Sequence, residues 1–114
     1  MNVAIVGATG YGGLQLVSLL KNNKNFNITF LGGEKSSGSK WNDLFPFLNL
    51  EKNLIVEKIS PSTISEKSEV VMLSLPSGIA STITPELLNR GLKVIDLSAD
   101  YRYKSLDLWK EIYF

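Results

Sequence analysis

The sequence predicts an α/β fold in which a mainly parallel, doubly wound sheet carries helices on both faces. Three observations lead to this prediction. Short apolar runs that suit strands alternate with segments of helical periodicity. Two of the runs, 3–6 and 69–75, are almost unbroken, as in parallel strands that are buried on both faces. Glycine or hydroxyl-bearing residues follow the ends of these runs, so we expect a sheet of the Rossmann type with about five strands.

Length and composition are those of one globular domain over residues 1–114, with no internal linker. The chain is 44% hydrophobic and 20% charged, which is ordinary for such a domain. Its formal net charge is +1 and its cationic residues are scattered, so we expect neither a nucleic-acid partner nor a membrane partner. No apolar run reaches transmembrane length and no signal segment is apparent, so we expect a cytoplasmic protein.

The sequence contains neither Cys nor His. Disulfides, Cys/His zinc sites, thiol nucleophiles and imidazole-based triads are therefore excluded in this chain. Catalysis by this chain alone would need carboxylates, hydroxyls, lysines or a bound cofactor. We therefore assign it no catalytic residue and no metal ligand.

The glycine-rich segment 7–13 connects the first predicted strand to a helix predicted over 11–21. Glycine suits this turn because a side chain would oppose its backbone angles and obstruct a pyrophosphate that approaches the main chain. The first helical amides have no intrahelical acceptor and lie at the positive end of the helix dipole. The spacing Gly-x-x-Gly-x-x-Gly in this context favours a nucleotide site over a turn that binds nothing. The candidate cofactor-binding residues here are Gly7, Thr9, Gly10, Tyr11, Gly12 and Gly13.

A second strand, 26–31, leads into a polar loop, which in a dinucleotide fold meets the adenosine ribose. An acidic side chain there accepts hydrogen bonds from the ribose of NAD, whereas cations and hydroxyls hold the 2′-phosphate of NADP. Glu34 therefore favours NAD, whereas Lys35, Ser36 and Ser37 favour NADP. A solvated loop without ligand contacts fits this segment equally well.

Three further segments precede the next buried strand. The aromatic-rich segment 41–48 is expected to form a short helix that covers a sheet edge. Its aromatic residues could form a ligand-facing surface, but at this spacing the core is the more common place for them. Residues 54–59 are expected to form a third strand at an edge, followed by a connection over 60–67.

The apolar run 69–75 ends in Pro76, Ser77 and Gly78. This turn follows the carboxyl end of a predicted strand, where open α/β sheets bind ligands. Ser77 is expected either to donate to a phosphate or ribose, or to cap the next helix.

A hydroxyl cap, a proline and an acidic residue at 84–86 predict the start of a helix, and Gly91 predicts its end. Strand 92–97 follows, and the segment 96–102 leaves its end with three charged side chains and a serine. Two interpretations of this segment are open: a capped turn with an Asp–Arg pair, and another edge of the ligand site. We slightly favour the capped turn. A last helix is predicted from Ser105.

Three segments, 7–13, 75–78 and 96–102, resemble the signatures of the N-acetyl-gamma-glutamyl-phosphate reductase family, in the family's order and at compatible separations. The resemblance implies the NADPH-dependent step of arginine biosynthesis that reduces N-acetyl-glutamyl 5-phosphate, a small-molecule acyl phosphate, to its semialdehyde and releases phosphate. In the family, a cysteine attacks the acyl phosphate, hydride reduces the thioester, and a histidine handles protons. Both groups lie downstream of the matching part, which implies that residues 1–114 are a truncated dinucleotide-binding domain, inactive alone, of a homo-oligomeric enzyme.

The resemblance also implies roles on the adenosine side of the site. The turn 7–13 matches the family's NADPH-binding turn. Ser36 and Ser37 lie in the loop that resembles the family's 2′-phosphate contact, whereas Glu34 lies near a position where a basic residue is common.

On the substrate side, Pro76, Ser77 and Gly78 resemble the segment beside the nicotinamide half of the cofactor. The family usually has histidine in place of Ser77. Arg102 resembles an arginine near the substrate phosphate in this superfamily.

Other interpretations of the glycine turn are open. A non-catalytic NAD(P)-sensing regulatory domain with a Gly-Ala-Thr-Gly turn needs no catalytic residues, and a relative of the aspartate-semialdehyde dehydrogenases shares the turn. A short-chain dehydrogenase is disfavoured because Tyr101 and Lys104 are three positions apart, not four. A P-loop kinase is disfavoured because no Gly-Lys-Ser/Thr follows the glycines.

Overall fold

The computed structural model describes residues 1–97, with the side chain of Ser77 excepted. The strands in this part of the chain are β1 (Asn2–Val6), β2 (Asn27–Gly32), β3 (Val70–Leu73) and β4 (Lys93–Asp96). The helices are α1 (Tyr11–Leu20), α2 (Trp41–Leu44), α3 (Pro61–Lys67) and α4 (Ser77–Asn89), with a 3-10 helix at Pro46–Leu48. Arg102 and the helix predicted from Ser105 lie outside the described residues. No helix among residues 1–97 is both long and apolar enough to cross a membrane.

The four strands form one parallel sheet in the order β2-β1-β3-β4, with both faces covered. Val3 and Ile5 pack in a cluster with residues of α1 and with Trp41. Ala4 and Val6 pack in a second cluster with residues of α3 and α4. Because successive strand residues point to opposite faces, the unbroken apolar run of β1 serves both clusters. The predicted doubly wound α/β fold is confirmed.

The third predicted strand, 54–59, is reduced to two isolated bridges. Glu57 pairs with Gly32 in parallel fashion, and Ile55 pairs with Lys40 in antiparallel fashion. The Glu57 amide donates to the Leu31 carbonyl over 2.9 Å. The described part of the chain therefore has four strands, and the segment 54–59 only lines the outer edge of β2.

The predictions for the segments 60–67 and 84–86 are wrong. The supposed connection 60–67 is largely helix α3, in which Ser60 is the N-cap, its hydroxyl accepts from the Thr63 amide, and Pro61 occupies the first turn. The supposed helix start at 84–86 lies inside α4, which runs through Pro85. The cap signal misleads because the Thr84 hydroxyl donates back to the Ala80 carbonyl over 2.7 Å, within the helix.

The aromatic segment 41–48 is helical, as predicted, but divides into α2 and the 3-10 helix. The expectation that its aromatic residues lie in the core holds for Trp41 and is wrong for Phe47, which is 78% exposed. Trp41 is completely buried, and its indole N–H donates to the Leu48 carbonyl over 2.9 Å. The ring of Phe45 lies 4.6 Å from that of Trp41, centroid to centroid. The Trp41 indole therefore connects both ends of the segment 41–48 and packs the segment against the core.

Candidate functional site

The glycine turn between β1 and α1 is fastened to the end of β2. The amides of Gly7 and Ala8 both donate to the Gly32 carbonyl, over 2.9 and 3.0 Å. Gly10 is the N-cap of α1, and the Leu14 amide donates back to the Gly10 carbonyl. The amides of residues 11–13 thus precede the first helical bond of this kind, at the positive end of the helix.

No carboxylate occupies the first turn of α1, so no acidic side chain there repels an anion from the positive end of the helix. A helix start of this kind, behind a buried parallel strand, suits a phosphate group. The Tyr11 side chain is largely exposed at this end of the helix.

Packing requires glycine at two positions of the turn. Gly7 has φ +84°, and a Cβ on it would lie within 3.0 Å of backbone atoms of Ser74. A Cβ on Gly13 would lie 2.6 Å from the Cα of Ala8. Helix α1 therefore starts in direct contact with its own turn, and β3 closes on the other side of it.

Gly10 is different, because a Cβ there would find only the Gly7 carbonyl oxygen, at 3.6 Å. Its φ of −80° and ψ of 171° suit any residue. Folding of the described residues thus does not require glycine at this exposed position. Because glycine has no side chain, Gly10 leaves the start of α1 accessible from outside.

Ser74, at the carboxyl end of β3, is a residue of this site that the sequence reasoning missed. Its hydroxyl lies against Gly12, within the space that a Cβ on Gly12 would need. Its amide donates to the Val6 carbonyl over 2.8 Å, which continues the pairing of β3 with β1. The available signal was one polar residue inside an otherwise apolar run.

The loop after β2 lies beside the glycine turn. The side chain of Thr9 lies against Gly33, where an added Cβ would stand 3.4 Å from the Thr9 hydroxyl oxygen. The Ser37 hydroxyl donates to the Glu34 carbonyl over 3.2 Å. Among residues 1–97 we find no hydrogen-bond partner for the hydroxyl of Ser36. Of the two predicted serines, Ser36 is thus the one with an uncommitted hydroxyl.

The turn after β3 forms the other side of the site. Pro76 is the N-cap of α4, and Ser77 is the first residue of that helix, so the expectation that Ser77 caps it is wrong. Gly78 is exposed, and a Cβ on it would contact nothing within 4 Å. The backbone thus brings these three residues to the carboxyl edge of the sheet.

The structure therefore places nearly all the predicted site residues along one edge. The glycine turn lies in the middle, with the loop after β2 on one side and the turn after β3 on the other. Arg102 lies outside the described residues. A cleft of about 620 Å³ lies at the opposite, amino edge, lined among others by Asn2 and Asn27, and does not belong to this site. Residues 1–97 contain no group of three or more acidic or other metal-ligating side chains that could hold a metal ion.

Residues 2–112 of the chain match the family described as "Semialdehyde dehydrogenase, NAD binding domain". The chain is 67% identical over 113 residues to an N-acetyl-gamma-glutamyl-phosphate reductase of Prochlorococcus marinus strain MIT 9215, and 53% identical to that of strain SARG. Each match covers 99% of this chain and 32% of the relative. The chain thus spans about a third of the length of these curated relatives.

Two solved structures share the fold. An aspartate semialdehyde dehydrogenase from Candida albicans, crystallised with NADP, superposes with a TM-score of 0.73 at 26% identity, over 89% of this chain and 30% of that one. Aspartate semialdehyde dehydrogenase II from Vibrio cholerae superposes with a TM-score of 0.69 at 24% identity, over 90% of this chain and 29% of that one.

Proposed function

Because this chain belongs to the semialdehyde dehydrogenase family of NAD-binding domains, we propose that it is the NADPH-binding domain of an N-acetyl-gamma-glutamyl-phosphate reductase. The whole enzyme would reduce N-acetyl-L-glutamyl 5-phosphate to N-acetyl-L-glutamate 5-semialdehyde, with release of phosphate, in arginine biosynthesis. The identity of 67% to a reductase of that name supports this assignment. We further propose that the whole enzyme is a cytoplasmic homo-oligomer.

The observation that carries the proposal is the open start of α1 at the centre of the carboxyl edge. We assign the cofactor's pyrophosphate to the amides of residues 11–13 and the Thr9 hydroxyl. Gly10 leaves the approach open, and Gly7, Gly12 and Gly13 allow the close packing that holds the turn in place. Ser36 is assigned to the 2′-phosphate through its uncommitted hydroxyl, and Ser37, whose hydroxyl donates to the Glu34 carbonyl, is assigned to the shape of the same loop. Pro76, Ser77 and Gly78 are assigned to the nicotinamide half, and Arg102 to the substrate phosphate. NADPH, when bound, supplies the hydride.

In this proposal, the residues of this chain bind and orient the cofactor and do not carry out the chemical steps. Its sequence holds neither the thiol that would attack an acyl phosphate nor an imidazole that would handle protons. We place both groups in the part of the relatives' length that this chain does not span. The chain is therefore expected to bind NADPH and to reduce nothing alone.

Titration of the 114-residue chain with NADPH, followed by nucleotide fluorescence, tests the proposal. Gly10→Val is the informative variant, because a Cβ at this position meets only the Gly7 carbonyl oxygen, at an ordinary contact distance of 3.6 Å, and lies at the approach to the helix start. We expect it to weaken NADPH binding about tenfold or more, a loss of about 1.4 kcal/mol. Because valine is a poorer N-cap than glycine, the free energy of unfolding should fall by about 1 kcal/mol or less, which leaves the chain folded. Ser18→Val, at an exposed position of α1, is the matched control and should bind as the wild type does.

Saturable binding that Gly10→Val leaves intact would contradict the assignment of the site. Turnover of the acyl phosphate by this chain alone would contradict the proposed division between binding and chemistry.

A non-catalytic NAD(P) sensor is the second candidate, favoured by the absence of Cys and His from the sequence. Parallel titration with NADP and NADPH separates the two candidates. A sensor should discriminate between the oxidation states and dock a protein partner, whereas the reductase domain requires neither. The nucleotide domain of an aspartate-semialdehyde dehydrogenase relative would bind the cofactor alike but act on a different acyl phosphate.

A further inference from the structure

Glu34 stands at the position where an acidic side chain would accept hydrogen bonds from an NAD ribose, yet the structure gives its carboxylate a protein partner. The Ile59 amide donates to Glu34 Oε1 over 3.1 Å. The main-chain carbonyl of Glu34 accepts from the Ser37 hydroxyl over 3.2 Å. Both polar ends of this residue are therefore used to shape the loop after β2.

The bond to Ile59 connects the loop to the segment that lines the outer edge of β2. The same segment holds the loop at its other end, where the Gly38 amide donates to the Val56 carbonyl over 2.7 Å. The Gly33 amide, just before Glu34, donates to the Glu57 carbonyl over 2.9 Å. The loop is thus fixed to one neighbouring segment at both ends, and the Glu34 carboxylate adds a side-chain anchor to the backbone ones.

Lys35 and Ser36 stand between these anchors. Lys35 is exposed and forms no ion pair within residues 1–97. The hydroxyl of Ser36 is likewise without a partner in this described range. A cation and a hydroxyl are the side chains that suit a phosphate, and a carboxylate beside them would repel it. The bond to the Ile59 amide holds one oxygen of this carboxylate on the neighbouring segment.

We propose that Glu34 is a positioning residue for NADP rather than a ribose acceptor that selects NAD. Its hydrogen bond to the Ile59 amide holds the turn in which Lys35 and Ser36 face the 2′-phosphate. The inference rests on the proposed function, since it requires a dinucleotide at this edge of the sheet. It concerns only how the chain distinguishes NADP from NAD, which differ by the 2′-phosphate alone.

The test measures dissociation constants of the 114-residue chain for NADP and for NAD with Glu34→Gln and Glu34→Ala. Glutamine keeps an oxygen that accepts from the Ile59 amide, whereas alanine does not. We expect Glu34→Gln to bind NADP within about threefold of the wild type, and Glu34→Ala to bind it about tenfold or more weakly. Affinity for NAD should change by less than about threefold in both variants. Glu51→Ala, an exposed glutamate at the opposite edge, is the control.

Amide hydrogen exchange gives a second readout that needs no ligand. The Ile59 amide should be protected in the wild type and in Glu34→Gln, and should exchange faster in Glu34→Ala. Equal exchange in all three chains would overturn the anchor.

The binding outcomes separate this inference from the proposed function. A selective loss of NAD affinity in Glu34→Ala would make Glu34 a ribose acceptor and overturn the inference. An equal loss for both cofactors, or no loss, would also overturn it, because neither concerns the 2′-phosphate. If the wild-type chain binds neither cofactor, the proposed function fails, and this inference fails with it.

Discussion

The hydroxyl of Ser74 occupies the space that a side chain on Gly12 would need. The carboxyl end of β3 thus packs against the start of α1 through a rotatable side chain. Gly7 and Gly13 meet backbone atoms instead. Since a hydroxyl can change rotamer and a backbone cannot, the three glycines should differ in how much an added methyl group costs.

Gly12→Ala should lower the free energy of unfolding by about 1–3 kcal/mol, through overpacking against Ser74. Adding Ser74→Ala should restore most of the loss, because the Cβ of residue 74 lies at an ordinary contact distance of 3.7 Å. The double variant also gains helix propensity of about 0.8–1.0 kcal/mol from alanine. Urea unfolding of the four chains forms a double-mutant cycle, and strictly additive effects would contradict the contact.

Gly7→Ala should destabilise the chain by about 3 kcal/mol or more, since it adds a backbone clash to an unfavourable positive φ. Gly38→Ala is the matched control. Gly38 has φ +92°, but a Cβ there would contact nothing within 4 Å, so we expect only the conformational cost of about 1–2 kcal/mol. Denaturant midpoints measure both losses, and equal losses would show that the contact with Ser74 adds nothing.

Trp41→Phe should destabilise the chain by about 2–4 kcal/mol, because it leaves a void and removes the donor to the Leu48 carbonyl. Phe47→Ala provides the comparison in the neighbouring 3-10 helix. Phe47 is 78% exposed, so its truncation should change stability by less than about 0.5 kcal/mol. Thermal unfolding measures both variants. The role given to the indole would be refuted by a Trp41→Phe chain that melts like the wild type.

Pro85→Ala should stabilise the chain by about 1–3 kcal/mol, because proline inside a helix lacks an amide donor and crowds the preceding turn. Pro61→Ala is the control, since Pro61 lies in the first turn of α3, where proline is tolerated. The control should be neutral or slightly destabilising. Circular dichroism during heating reports both, and a destabilised Pro85→Ala chain would argue that α4 does not continue through this position.

The fold could be predicted from local patterns because its central strands are nearly unbroken apolar runs and its turn is rich in glycine. The failures have one physical origin. Residues 54–59 have a strand-like composition, but their pairing depends on what β2 offers along its outer edge. The sequence placed a helix start at Thr84, but a hydroxyl that caps a helix in one context donates backwards inside a helix in another, and α4 begins at Ser77.

The candidate site shows the same division. The amides at the start of α1 could be predicted from the chain alone, because strand, glycine turn and helix are consecutive. The contact between Ser74 and Gly12 joins residues that are distant in sequence, and so does the bond between Glu34 and Ile59, 25 positions apart. The sequence therefore left the preference between NAD and NADP open. A glutamate at position 34 is the same residue in the sequence whether its carboxylate faces a ribose or accepts from a backbone amide.

The shared acceptor at Gly32 has a consequence for how such a domain can change its ligand preference. Its carbonyl accepts hydrogen bonds from the amides of both Gly7 and Ala8. The start of the loop after β2, which is its root, and the glycine turn before α1 should therefore move together. An insertion or deletion at that root would displace the glycine turn 7–13 as well. A change of ligand preference is therefore expected to come from substitutions of side chains beyond Glu34 rather than from a change in the length of the loop.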